Sequence, residues 1–383
     1  MAINIPKIDI SPLLDSHSSA QDKQRVATDL LDAFTRYGVF YITSPSHPLF
    51  QTASSEAILD ATKSLFALDN AHKDTFPLIQ PGGFTRGYVP IGGESGSKTR
   101  ELKEGFSYGY EWGPGALDQQ KARQGGRLNG LQGPNAWPSE EVLRELDNNK
   151  TPGAFKEALN GFYNHVCDVA SALLTGISLA AGQPESTLAQ YCGQSNTISF
   201  MRLFHYFPYV STPGDTQHSA TIGSSAHTDW GFLTLILSPC KTVGLQLYYE
   251  GEWHDVPSVD NTLIVNGGDF LSLLTGGKFI SPLHRVVSNG EQERYSMCCF
   301  YYPDYDARIP RLVPESETRG QAAKASYSLL RDQRDSASPS PSSPSGATAD
   351  GQELARKLLS GEINFGDYIV DKWTQVYRKG GSY

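Results

Sequence analysis

The sequence is short of cysteine, of long apolar runs and of clustered basic charge. Its 383 residues include five cysteines, Cys167, Cys192, Cys240, Cys298 and Cys299, irregularly spaced and with no C-x-x-C pair. An odd, scattered set argues against a disulfide framework and fits reduced thiols inside a cell. The opening residues Met1-Ala2-Ile3-Asn4-Ile5-Pro6 carry neither a basic region nor an apolar core. No signal peptide and no membrane span are expected, and the cytoplasm is the expected location. Basic residues number 32 against 41 acidic ones, for a formal net charge of -9. With no Lys/Arg run, neither nucleic acid nor a polybasic membrane surface is an expected partner. An internal repeat is also missing, as is a linker that would divide the core. There is no H-E-x-x-H helix of the hydrolytic zinc kind. What remains is an ordinary core-forming composition, 39% hydrophobic and 19% charged. The expectation is a monomer or weak homo-oligomer whose partner is a small molecule.

The chain punctuates itself clearly. Residues 5–10 read as a strand ended by Ser11-Pro12. Val26, Leu30, Ala33, Phe34 and Tyr37 recur at helical spacing until Gly38 stops them. Residues 39–43 read as a strand and 51–68 as a second helix. Between residues 80 and 114 glycines alternate with Phe84, Tyr88, Phe106, Tyr108, Tyr110 and Trp112, a pattern of loops and short strands. Such a stretch is either a pocket wall or a surface meander. A long helix is expected from Gly153 to Ala181, striped by Leu159, Phe162, Val166, Val169, Leu173 and Ile177. Short β-rich runs follow at 198–206, 222–227, 232–237, 245–250, 262–266, 284–288 and 295–302, the spacing of an antiparallel sandwich or jelly roll. The run Ser336–Gly346 is almost entirely Ser and Pro, so disorder is expected over about residues 333–350. Helices are expected again at 352–360 and 365–378. Three regions result: 1–150, 151–310 and 311–383.

One stretch carries chemistry. In Ala226-His227-Thr228-Asp229-Trp230-Gly231 a histidine and a carboxylate stand two apart. On a strand, such residues share a face. His284 follows 55 positions after Asp229, in Pro282-Leu283-His284-Arg285. Two histidines and one carboxylate on one side of a metal leave the other side open, as in non-haem Fe(II) oxygenases. Ten positions on, Arg294-Tyr295-Ser296 places a planar cationic fork and a hydroxyl two apart. That pair suits a carboxylate, so the metal would hold a diacid such as 2-oxoglutarate.

In this order His-x-Asp, His and Arg-x-Ser resemble the 2-oxoglutarate- and Fe(II)-dependent dioxygenases, within them the isopenicillin N synthase-like branch. Ile5-Pro6-Lys7-Ile8-Asp9-Ile10, Gly38-Val39-Phe40-Tyr41-Ile42, Trp253-His254-Asp255-Val256-Pro257, Val265-Asn266-Gly267-Gly268-Asp269 and Phe365-Gly366-Asp367-Tyr368 extend the likeness. The resemblance implies a mostly β fold with flanking helices: a double-stranded β-helix (jelly-roll, cupin-like) core, an N-terminal α/β region and C-terminal helices. It implies Fe(II) on His227, Asp229 and His284, with O2 and 2-oxoglutarate as cosubstrates. Arg294, Ser296 and Tyr206 would take the keto acid's distal carboxylate. Tyr206 follows His205 where many relatives have Asn, which leaves the role of His205 open. Arg86, Tyr88, Arg202, Trp230, Phe232, Phe300 and Tyr302 are candidate substrate contacts. The implied reaction is hydroxylation, desaturation or ring rearrangement of a specialised metabolite or amino-acid derivative, with succinate and CO2 released. A keto-acid-independent iron oxidase and an ethylene-forming enzyme are alternatives on the same scaffold. A non-catalytic binding protein is a third.

Overall fold

The computed structural model describes residues 3–76, 86–93, 101–123, 131–147, 151–193, 196–209, 223–239, 243–288, 292–314 and 349–380. The Ser336–Gly346 run, Phe84 and the glycines at 82, 83 and 96 lie outside the described residues. Helices are α1 Ser11–Leu14, α2 Ala20–Arg36, α3 Thr52–Ala67, α4 Asn70–Lys73, α5 Ala116–Arg123, α6 Glu140–Leu146, α7 Ala154–Ala180, α8 Asp269–Leu274, α9 Ala349–Ser360 and α10 Phe365–Gly380. Strands are β1 Lys7–Asp9, β2 Val39–Thr43, β3 Gly87–Val89, β4 Lys103–Gly109, β5 Phe200–Tyr206, β6 Ser224–His227, β7 Leu233–Leu237, β8 Leu245–Tyr249, β9 Glu252–Asp255, β10 Leu263–Gly267, β11 His284–Val286 and β12 Arg294–Tyr301.

The strands form two sheets. The larger has the order β1-β2-β10-β7-β12-β5-β4-β3 and the smaller β6-β11-β8-β9. This is the mostly antiparallel jelly-roll core with flanking helices. The outer strands at both ends, β1 and β2 at one and β4 and β3 at the other, come from residues 7–109, yet β2 pairs onto β10 and β4 onto β5 of the same sheet. The N-terminal region therefore completes the core sheet and does not stand beside it.

Strand alternation sorts side chains between two apolar zones. Met201, Leu203, Leu233, Leu235, Met297, Cys299 and Tyr301 face the helical layer, where α7 lies. The α7 stripe Leu159, Phe162, Val166, Val169, Leu173 and Ile177 is buried there. Each such side chain contributes about 1.5–3 kcal/mol. Gly176 lets α1 and α2 close on α7, because a Cβ there would meet Leu30 and Leu13 at 2.7 and 2.8 Å. The opposite faces, with Phe204, Tyr206, Ile236, Leu245, Leu247, Ile264, Val286 and Cys298, enclose the space between the sheets. The candidate site lies on this inner side.

Helix α2 begins at Ala20, where Ser19 caps it by accepting from Asp22 N at 3.1 Å. Strand β9, unforeseen in the sequence, hairpins onto β8 through Glu250 and Gly251, both at positive φ.

Candidate active site

Strand pairing brings the histidines together. His284 on β11 stands directly opposite His227 on β6, and the register shifts just beyond it, between His284 and Val286. Asp229 is a correction to the strand argument, since β6 ends at His227 and Asp229 sits in the following turn. That turn is held from the other side. The backbone N–H groups of Gly268, Asp269 and Phe270 donate to the carbonyls of Phe232, Asp229 and Trp230, at 2.8, 2.7 and 3.3 Å.

One ligand atom from each of His227, Asp229 and His284 lies within 4.8 Å of the others. The Nε2 atoms of His227 and His284 are each 3.9 Å from a different Asp229 oxygen. Two donors at about 2.1 Å from one ion can be separated by no more than about 4.2 Å, and both His–Asp229 distances fall within that limit, as one shared cation requires. The tautomers suit it as well. Nδ1 of His227 donates to Ser225 O at 2.7 Å, and Nδ1 of His284 donates to Pro282 O at 3.0 Å. Both Nε2 lone pairs are thereby aimed at the shared point. The surrounding protein and then His284 push His227 down to about 4, which keeps it neutral near pH 7, although its side chain retains 44% exposure on the open side. Asn266 Nδ2 and Asp229 Oδ2 are 3.5 Å apart, and Thr228 Oγ1 donates to Asp269 Oδ2 at 3.1 Å. Burial pushes Asp269 up to about 7, with Asp229 also raising it, against Ser281, Lys372 and Thr228.

A second cluster lies deeper. Arg294 opens β12 and pairs in register with Tyr206, so both face inward. Its guanidinium carbon is 5.0 Å from the Tyr206 ring centroid. Nη2 donates to Ser238 Oγ at 3.1 Å, and Nη1 is buried with no hydrogen-bond partner. Ser296 hydrogen-bonds the Tyr206 phenol. Gly244 makes room for the arginine, because a Cβ there would lie 3.0 Å from Arg294 Cδ. A buried cationic donor without an acceptor is costly, and a carboxylate would satisfy it.

The remaining sequence candidates separate. Arg202 is buried on the inward face of β5, with Nε donating to Ser107 Oγ at 3.1 Å. Its guanidinium lies 5.0 Å from the ring of Trp373 and 5.9 Å from those of Phe200 and Phe204. Phe300 stacks on Phe200 at 4.9 Å, and Tyr302 meets the same ring edge-on at 5.6 Å. Trp230 packs on Trp373 at 5.1 Å. Three expected contacts have other duties. Phe232 is fully buried against Phe270 in the helical core, which removes it from a pocket wall. Arg86 donates to Asn135 Oδ1 and Leu131 O, both at 2.8 Å, and so pins the 131–135 segment. Tyr88 donates to Glu104 Oε2 at 2.5 Å.

Glu104 also explains His205. On the outward face of the sheet it takes Lys73 Nζ at 3.1 Å and His205 Nδ1 at 2.8 Å, and the His205 ring stacks on Tyr295 at 4.6 Å. His205 is thus a buried structural group across the strand from the site. Sequence reading missed Trp373 and the buried Lys372, both on α10. Nothing in an amphipathic helix pattern says that it reaches a site encoded some 70 residues earlier. Lys103 and Glu101 were missed too, inside the glycine-aromatic stretch where only the rings drew notice.

Among the described residues no helix is long and apolar enough to cross a membrane. Residues 197–303 match the 2OG-Fe(II) oxygenase superfamily, and residues 5–140 match the N-terminal region of non-haem dioxygenases described from morphine synthesis. The chain is 30% identical over 316 residues to a homoarginine-6-hydroxylase of Glycine max, spanning 81% of this chain and 88% of the relative. It is 28% identical over 314 residues to a 2-oxoglutarate-dependent dioxygenase of Penicillium crustosum, spanning 80% and 86%. The fold is similar to that of a full-length Neurospora crassa protein solved with alpha-KG, with a TM-score of 0.69 at 21% identity, covering 97% of this chain and 98% of that one.

Proposed function

Because this chain belongs to the 2OG-Fe(II) oxygenase superfamily, and is a dioxygenase using Fe(II), 2-oxoglutarate and O2, we propose that His227, Asp229 and His284 are its iron ligands and that Arg294, Ser296 and Tyr206 receive the distal carboxylate of 2-oxoglutarate. The observation that carries this reading is the pairing of two complementary needs. Two fixed Nε2 lone pairs and a carboxylate converge on one point. Deeper on the same inner side, Arg294 Nη1 is buried without a partner. A chelating keto acid with a second carboxylate answers both.

When bound, Fe(II) supplies O2 activation coupled to decarboxylation of 2-oxoglutarate, which yields succinate and CO2 and oxidises a substrate C–H bond. The chain's residues do the rest. Ser225 O and Pro282 O hold the imidazoles in the donor tautomer. Arg294 and Ser296 orient the keto acid by its far end. Phe300, Tyr302, Trp230 and Trp373 exclude water over the reacting bond. Arg202, in its aromatic cage, selects a small substrate carrying a carboxylate or another anionic oxygen next to a flat apolar part. A specialised metabolite or an amino-acid derivative meets that description. The homoarginine named for the Glycine max relative carries such a carboxylate.

The test is an anaerobic Fe(II)/2-oxoglutarate preparation exposed to O2 with a metabolite panel, read by mass spectrometry. Succinate should form in step with an oxidised acid, and the methyl ester of that acid should react far less. Oxidation without succinate would move the reading to the keto-acid-independent oxidase. Ethylene in the headspace without any panel substrate would move it to the ethylene-forming type.

A further inference from the structure

The inner face of the large sheet is organised in rows, because antiparallel partners on neighbouring strands share a face. One row runs from β12 across β5 to β4. Arg294 pairs with Tyr206, and Tyr206 pairs on its other side with Lys103. Adjacent strands lie about 4.8 Å apart, so the two cationic stems leave the sheet about 10 Å from each other, with one phenol between them. Both side chains are longer than half that gap.

Lys103 is held inward. Its ammonium lies 5.4 Å from the Phe204 ring centroid, and the Phe204 and Tyr206 centroids are 5.8 Å apart. Nζ pairs with Glu101 Oε2 at 2.7 Å and reaches Ser224 Oγ at 3.3 Å. Glu101 in turn accepts the backbone N–H of Ser225 at 2.7 Å. The pair therefore fastens β6, the strand that ends in His227, to the start of β4 in the other sheet. It is largely buried, with 13% of the lysine and 3% of the glutamate side chain exposed. The lysine thus stands between two landmarks: Ser224, three residues before His227 on β6, and Tyr206, whose ring lies 5.0 Å from the Arg294 guanidinium carbon.

Burying a Glu-Lys pair costs desolvation that its own attraction barely offsets, so the pair is weak evidence of a purely structural role, and this one sits in the clamp's own row. We propose that Lys103 is a second cationic contact for the distal carboxylate of 2-oxoglutarate, opposite Arg294 across Tyr206. This rests on the cosubstrate reading above and adds a residue to it. Arg294 supplies a fixed planar fork. Lys103 supplies a compact charge whose three donors reorient with the stem, so it keeps Glu101 while turning to the ligand. Glu101 holds the ammonium in place before the keto acid arrives.

The experiment is isothermal titration of the Fe(II)-loaded full chain under nitrogen. The two ligands are 2-oxoglutarate and 2-oxopentanoate, which keeps the chelating end and lacks the distal carboxylate. Lys103→Met should weaken 2-oxoglutarate at least tenfold and 2-oxopentanoate less than threefold, with iron stoichiometry unchanged. Lys103→Arg should hold 2-oxoglutarate within threefold of wild type. Lys103→Gln replaces the methionine variant if that one precipitates. Wild-type binding of 2-oxoglutarate together with unchanged binding by Lys103→Met overturns the inference alone. Equal weakening of both keto acids also overturns it, because that is the mark of a general packing defect. A wild-type enzyme that binds no 2-oxoglutarate overturns the cosubstrate reading itself.

Discussion

Replacing Arg294 with Gln should raise the dissociation constant for 2-oxoglutarate between about tenfold and about a thousandfold. Arg294 is 5% exposed, Nη2 is spent on Ser238, and Nη1 has no acceptor. A carboxylate arriving there gains one or two charge-assisted bonds, worth roughly 1.5–3 kcal/mol each. Gln returns one neutral bond of about 1 kcal/mol. The net loss spans roughly 0.5–5 kcal/mol and centres near 3, which is about two decades of affinity at about 1.4 kcal/mol per decade. The same geometry makes a second, opposite claim about the ligand-free protein. An unsatisfied buried donor costs about 1–3 kcal/mol, so Arg294→Gln should unfold at the same or a higher temperature when no keto acid is present. Thermal denaturation of the Fe(II)-loaded, oxygen-free enzyme reads both effects. Ligand stabilisation follows RT ln(1 + [L]/Kd), so the shift produced by a fixed 2-oxoglutarate concentration should shrink. A variant with the full wild-type shift would remove Arg294 from the carboxylate site. One that melts lower without ligand would contradict the cost assigned to Nη1.

Other outcomes follow from the same geometry. His227→Ala and His284→Ala should each lose iron on anaerobic dialysis, with affinity down by more than about a hundredfold, beyond the loss expected for an outer partner; near-normal iron content in either would disqualify that residue as a ligand. Trp373→Ala should raise KM for the primary substrate at least tenfold and leave 2-oxoglutarate affinity within threefold, and the reverse pattern in steady-state kinetics would place Trp373 outside the substrate wall. Burial, aided by Asp306 and opposed by the Gly193 N–H at 2.7 Å, pushes Asp304 up to about 7 from 3.8. The folded state then holds a proton that the unfolded chain releases, so this contribution to stability is whole below about pH 4 and is lost as pH rises through about 7. Asp304→Asn keeps an oxygen for Gly193 and should flatten the fall in melting temperature between those values; parallel curves for variant and wild type would show that Asp304 does not titrate in this window.

That His227, Asp229 and His284 form one group was legible because their residue types and order are local signals, even though their convergence is not. The reasoning that put His227 and Asp229 on one strand face was mistaken in detail, since a turn braced by the backbone of residues 268–270 presents Asp229. Only the pairing of β6 with β11 places His284 opposite His227. Arg294 and Tyr206 were legible for a like reason, and register confirms that they share a face. Phe232 and Arg86 were misread because an aromatic or arginine beside a motif looks the same whether it faces a cavity or a core. Lys103, Glu101 and Trp373 were out of reach, as each meets the site through long-range contacts that no short pattern encodes.

The roof over the cavity has a bearing on damaged messages. The sheet is complete at Tyr301, whereas Trp373 lies 72 residues later and is joined to Arg202 and Trp230 by contacts alone. A reading frame broken anywhere between would still encode every proposed iron ligand and the whole keto-acid clamp. A break before residue 365 would remove more than the wall, because Phe365, Tyr368 and Ile369 are buried in the core, where Phe365 packs on both Phe270 and Tyr302. Such a fragment would spell out the proposed chemistry in full and lack the packing that holds it in place. For a cell, a shortened copy of this chain would be a misfolded protein to clear.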